Sequence, residues 1–277
     1  MTPPLCGQYE TSGAGHVNIL FLGDVFGRPG RDAVVRALPG LIDAHDVDFT
    51  IANGENAANG AGITSKIANQ LLGAGVDVIT TGNHVWRQRE VYPFLNASDR
   101  IVRPANFPPS SPGRGLTVGA SAGGDDVAVI NVMGHVFMDS SISPFRIIDA
   151  LVDEALTLAE TVVVDMHAEA TSEKVAMARY LDGRVTAVVG THTHVQTADE
   201  RISAKGTAAI TDVGMCGPRD SVIGVRSEII LARFLNELPA PFVVADGDVR
   251  LNALVISTAG GRATAVERLE LVPHGKT

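Results

Sequence analysis

The chain has 277 residues, enough for one large domain or two small ones, and its 45% apolar content suffices for a full core, so disorder is excluded. Twenty-two lysines and arginines against 31 aspartates and glutamates leave a net charge of −9, which argues against an extended nucleic-acid groove. Small phosphorylated ligands stay open, because a bound metal can supply positive charge locally. Two cysteines, Cys6 and Cys216, rule out a disulfide scaffold and a cysteine-based zinc site, and fit a reducing cytoplasm. No apolar run approaches the ~20 residues of a membrane-spanning helix. A cytoplasmic protein is expected, with no membrane partner. Residues 1–16 lack lysine, arginine and an apolar core, and read as a disordered extension.

The first strand, residues 17–22, stops at Gly23-Asp24, and a helix follows over 31–44. A second strand, 49–52, stops at Asn53-Gly54-Glu55-Asn56, with a helix at 65–74. A third, 76–80, stops at Thr81-Gly82-Asn83-His84. Residues 103–124 are rich in proline, glycine and serine and read as a long loop inside one domain. The run ending at Val132-Met133-Gly134-His135 precedes a helix over 144–159. Then come a strand at 162–164 stopping at Asp165-Met166-His167, a helix at 172–181, and a strand at 185–189 stopping at Gly190-Thr191-His192-Thr193-His194. The remainder reads as strands at 207–210, 250–257 and 263–271 with one helix at 228–237.

Strands alternating with helices of about 10–15 residues indicate an α/β layered fold, in which ligands bind outside the carboxyl ends of the strands. A second sheet packed on the first gives four layers, α/β/β/α, with two mixed sheets flanked by helices. One domain is expected over 17–272. Five strand ends carry Asp, Glu, Asn or His at the same relative position, which ordinary loop polarity explains poorly.

Asp24, Glu55, Asn83, His167, His192 and His194 are oxygen and nitrogen donors suited to manganese, iron or zinc. Two metals about 3.5–4 Å apart would clamp an in-line phosphoryl transfer. His192 and His194 are two apart, so at a strand end they point the same way, and in a tight loop they can straddle two ions. Asp24 is a ligand or a helix cap; Arg28-Pro29-Gly30 between it and the helix disfavours the cap. Glu55 lies among glycines and asparagines that bring the backbone close. His84 next to Asn83 can protonate a leaving alkoxide from outside the metal shell.

The series Gly23-Asp24 to Gly27, Gly54-Glu55-Asn56, Gly82-Asn83-His84, His167 and Gly190 to His194 resembles the calcineurin-like metallophosphoesterases. Phe26 stands where that superfamily has a histidine ligand, Glu55 where it has a bridging aspartate, and Val85 where it has a glutamate. Those departures, with Asn53 to Ala58, Trp86 and Asp212-Val213-Gly214-Met215, resemble the YmdB-type branch. The resemblance implies the calcineurin-like fold. It implies Asp24 and His194 at a first metal, Asn83, His167 and His192 at a second, and Glu55 bridging. With Phe26 unable to ligate, Asn56 is the candidate replacement. It further implies two iron or manganese ions, with zinc tolerated, and hydrolysis of cyclic nucleotides, 2′,3′-cyclic ones first. A metal-bridging hydroxide would attack phosphorus and His84 would act as the acid. A phosphomonoesterase or nucleotidase, or a nucleotide-sensing regulator, remains the competing reading. A homo-oligomer is expected. Trp86 and Cys216 read as structural, while Arg219 could meet a phosphate or lie in solvent. His135 either supports the site or simply packs.

Overall fold

A computed structural model describes residues 15–139 and 142–272. The expected N-terminal extension lies, but for Gly15 and His16, outside the described residues. In chain order the strands are β1 Asn18–Leu22, β2 Asp24–Val25, β3 Phe49–Asn53, β4 Val78–Thr80, β5 Leu116–Ala120, β6 Asp126–Met133 and β7 Thr161–His167. They continue as β8 Ala187–Thr191, β9 Arg201–Ile202, β10 Ala208–Ile210, β11 Met215–Pro218, β12 Val249–Ala259 and β13 Arg262–Leu271. The helices are α1 Gly27–Ala44, α2 Ser65–Gly73, α3 Tyr92–Ala97, α4 Ile148–Leu158, α5 Thr171–Tyr180 and α6 Ser227–Asn236.

The first sheet has seven strands in the order β2-β11-β12-β1-β3-β4, with β13 on the other side of β12. The second has six, β5-β6-β7-β8-β10-β9. Both are mixed: β1 runs parallel to β3 but antiparallel to β12, and β6 runs parallel to β7 but antiparallel to β5.

Strand alternation builds the layers. In β1, Ile19 and Phe21 face the space between the sheets, while Leu20 and Leu22 face α1 and α2. In β7, Val163 joins the inter-sheet core and Val162 and Val164 pack under α4 and α5. Strands buried on both faces read as continuous apolar runs, and this is why the sequence pattern is unbroken there. Each fully buried Phe, Leu or Ile contributes about 1.5–3 kcal/mol. The order of layers is therefore α/β/β/α, as the sequence predicts. Among the described residues no helix is long and apolar enough to cross a membrane.

Two local expectations are corrected. Helix α1 begins at Gly27 rather than at residue 31, because Pro29 falls in the first turn, where its missing N–H is not needed. The helix starts behind Phe26, with no side-chain cap, so Asp24 does not cap it. The proline-rich stretch 103–124 contains β5, which gains its stability by pairing with β6 from Leu116 opposite Ile130 to Ala120 opposite Asp126. The glycine-rich segment at Cys216 is strand β11, held parallel to β2 and antiparallel to β12.

Candidate functional site

The carboxyl ends of β1, β3 and β4 from one sheet meet those of β7 and β8 from the other. Asp24, Glu55, Asn56, His167 and His194 are buried there, and Asn83, His84 and His192 are partly buried. All eight sequence-predicted site residues converge.

One half of the cluster centres on His167. Its Nε2 lies 3.1 Å from Glu55 Oε1, 3.2 Å from Asn83 Oδ1 and 3.1 Å from His192 Nδ1. A single ring hydrogen cannot serve three acceptors at once. Glu55, His167 and His192 each place a ligand atom within 4.8 Å of the others'. This carboxylate, amide and imidazole set fits a transition metal. Burial opposes ionisation of Glu55, but the charge and hydrogen bond of His167, with help from His84, hold its carboxyl well below the usual range. Burial likewise opposes the charged form of His167, and Glu55 outweighs it, raising the imidazole to about 9. Burial and the His167 charge push His192 down to about 3.

The other half pairs Asp24 with His194. His194 Nε2 is 3.7 Å from Asp24 Oδ1, too far for a hydrogen bond, and that buried oxygen has no partner. Burial raises Asp24 to about 6, against the pull of His194 and His167. An orphaned buried carboxylate oxygen beside an imidazole is what a cation would satisfy. Asn56 bridges this half to the acid candidate: its Nδ2 is 2.9 Å from His194 Nε2 and its Oδ1 is 2.9 Å from His84 Nδ1. Phe26 sets its ring edgewise against His194, centroids 5.5 Å apart.

The supporting residues explain the geometry. Gly82 carries no Cβ because one would strike both Glu55 Oε2 and His167 Nε2, so only glycine lets these donors meet. His167 Nδ1 is 2.8 Å from Thr191 Oγ1, which donates at 2.7 Å to the buried Asp165. Asn53 donates to Asp165 at 3.1 Å and accepts the Glu55 N–H, also at 3.1 Å. His192 and His194 adopt left-handed backbone, φ 99° and 66°. Such strain persists only where neighbours over-determine it. Asp212 does so here, accepting from the Thr193 N–H at 3.1 Å and from its hydroxyl, while Lys174 of α5 pairs with Asp212 at 2.8 Å in full burial. His194 Nδ1 meets the Ile223 carbonyl at 2.9 Å, which presents Nε2 to the site.

Sequence reasoning missed Asp165, Thr191, Lys174 and the roles of Asn53 and Asp212. A signal existed for one of them: Asp165 is two residues before His167 on one strand face. Lys174 had none, since a lysine on a helix is normally solvated. Trp86 packs edgewise on Tyr92 and Phe107, in keeping with the structural reading. Cys216 is buried and its thiol is pushed up to about 12, which leaves it inert. Arg219 and His135 do not line the cavity at the cluster. Glu173 accepts the backbone N–H of His135 at 2.9 Å, fixing that turn.

The sequence model of the YmdB-like protein family matches residues 20–269. A Bacillus subtilis (strain 168) protein described as a 2′,3′-cyclic-nucleotide 2′-phosphodiesterase is 48% identical over 255 residues, covering 91% of this chain and 96% of that one. A crystal structure of a hypothetical protein from Thermus thermophilus superposes with a TM-score of 0.88 at 45% identity, covering 93% of this chain and all of the other. That of a novel phosphatase from Mycoplasma pneumoniae does so with a TM-score of 0.87 at 34% identity, covering 94% and 95%.

Proposed function

The chain belongs to the YmdB-like family, and from that premise we propose that it hydrolyses 2′,3′-cyclic nucleotides at the donor cluster. It is a phosphoester hydrolase; the substrate, the pair of metals and the residue roles are the proposal. The observation that carries it is the convergence of Glu55 Oε1, Asn83 Oδ1 and His192 Nδ1 on His167 Nε2, beside the orphaned oxygen of Asp24.

In this reading Asn83, His167 and His192 would hold one ion, Asp24 and His194 would hold the other, and Glu55 would be shared; Asn56, with its carbonyl oxygen on His84, positions that imidazole instead. Iron and manganese suit the donors, and zinc is tolerated. Bound ions would lower the pKa of a water and offset phosphate charge. The chain does the rest. Asn56 and Glu55 hold His84 by Nδ1, at 2.9 Å and 3.3 Å, so Nε2 is the nitrogen left to meet a leaving oxygen. Water adds to phosphorus, the bond to the 2′ oxygen breaks, and His84 supplies that oxygen's proton, leaving a 3′-monophosphate. Asp165 and Thr191 orient His167, and Asp212 orients the loop of His192 and His194.

The test is chelator-free, anaerobic purification, elemental analysis, and chromatography of the products from 2′,3′-cyclic AMP. About two metal equivalents per chain and conversion to 3′-AMP are expected. No turnover after reconstitution with iron or manganese, or faster release of phosphate from terminal monoesters, overturns the proposal and favours a nucleotidase.

A further inference from the structure

The cavity at the cluster, about 780 Å³, has two unlike ends. One is polar: Glu55, Asn56, His84, His192 and His194. The other is walled by Phe26, Val225, Ile230, Phe234, Phe242 and Val244. Its floor is rigid, because Phe26, Val225 and Ile230 form a buried cluster with Met215. The floor also touches the chemistry, since the Phe26 ring meets His194 edge to face. The rim is different. Phe234 on α6 is 76% exposed and Phe242 is 61% exposed, although both face the cavity. Arg233 lies over Phe242, its guanidinium carbon 5.3 Å from the ring centroid, which braces that ring.

An occupant of this cavity must carry an anionic group at one end and a flat apolar-faced group at the other. We infer that the wall of Phe26, Ile230, Phe234 and Phe242 is a stacking platform for the nucleobase of the substrate, an inference that rests on the cyclic-nucleotide reading. The apolar end offers mostly aromatic and aliphatic faces, with Arg233 over Phe242 and Asn59 beside Val244 as polar side chains near it, so the base is held chiefly by its face. Stacking of this kind tolerates any base, since every base has a π-face. The enzyme is therefore selective for a base being present and little selective for which base.

The test compares the wild type with the double variant Phe234→Ala/Phe242→Ala on 2′,3′-cyclic AMP and on the 2′,3′-cyclic phosphate of 1-O-methylribose, which has no base. Loss of base stacking is expected to raise KM for the nucleotide about tenfold, with kcat within about twofold. The rise is confined to the substrate with a base, and Phe234→Trp/Phe242→Trp restores the low KM. Wild-type KM values for the four 2′,3′-cyclic nucleotides should agree within about tenfold. An equal change on both substrates overturns the platform. So does an unchanged KM with an altered mass by size-exclusion chromatography, which would make the rim a contact between copies of the chain. Calorimetry of 3′-AMP separates the two readings. If the wild type cleaves no cyclic nucleotide yet binds 3′-AMP more tightly than the double variant does, hydrolysis of this substrate fails and the platform stands.

Discussion

The two halves of the donor cluster differ in how far the fold has already assembled them. Around His167, Glu55 Oε1, Asn83 Oδ1 and His192 Nδ1 each lie within hydrogen-bond distance of Nε2, and two of the four bearers are fixed from behind by buried neighbours: Thr191 and Asp165 behind His167, Asn53 behind Glu55. Around Asp24, the carboxylate and His194 stand 3.7 Å apart, Asn56 reaches in by its amide nitrogen, and Phe26 occupies a side that could have held a fourth donor. The first half is therefore pre-organised and the second is open. Rigid, satisfied shells bind metals more tightly than loose ones. The half near His167 should fill first, and the half near Asp24 should be the one that loses its ion to a chelator.

The severest way to break this contrast is Glu55→Gln, because in the proposed reading Glu55 would serve both halves. It should cut kcat/KM on the order of 10³-fold and bring the metal content of the isolated protein below one equivalent. Retention of two ions would show that the halves do not share this carboxylate. Next in size is His84→Ala, expected to slow 2′,3′-cyclic AMP hydrolysis by about 10²–10⁴-fold while both halves keep their metal. A p-nitrophenyl ester, whose leaving group needs no proton, should lose much less. Equal losses on the two substrates would remove the acid role.

A finer cut is Asp165→Asn, which touches only the half near His167. Metal affinity there should fall about 10–100-fold, read as an equilibrium titration with manganese, with the weaker site near Asp24 unmoved. If both sites weaken together, the halves are one coupled unit. The smallest expected effect comes from Phe26→His, which offers the open half the donor it lacks. A few-fold slower loss of the weaker ion to chelator should accompany a modest drop in Tm, since Phe26 packs against Gly60, Gly224 and Met215. An unchanged rate of loss would mean that the aromatic ring does not limit this half.

Phe26 illustrates how much was legible beforehand. Its identity marks the branch of the superfamily in the sequence alone, as an absent ligand. Only the packed structure turns that absence into a presence: the ring is the floor joining the metal-facing cluster to the apolar wall. The wall itself was not foreseen, because α6 and the segment near Phe242 give only a local helix signal and a scatter of apolar residues. Asn56 is expected from the sequence as a replacement metal ligand, but the structure puts its carbonyl oxygen on His84 and turns its amide nitrogen, which does not ligate metals, to His194.

The amino-acid sequence determined the layers and the chemistry on their edges. Alternation with period two and helices with period 3.6 are local properties, and a carboxylate or imidazole directly after a strand is carried to the strand's end whatever the strand pairs with. Tertiary structure decided which donors meet. The contact between Asn56 and His194 spans 138 positions, and that between His192 and the Asp24 carboxylate spans 168. No local pattern encodes contacts at such separation. They follow from two sheets packing face to face through the alternate side chains of β1, β3, β7 and β8, which brings their carboxyl ends to one place. The same packing buried Lys174 against Asp212 and turned a glycine-rich stretch into strand β11, because partners from distant parts of the chain satisfied groups that would otherwise have stayed in water.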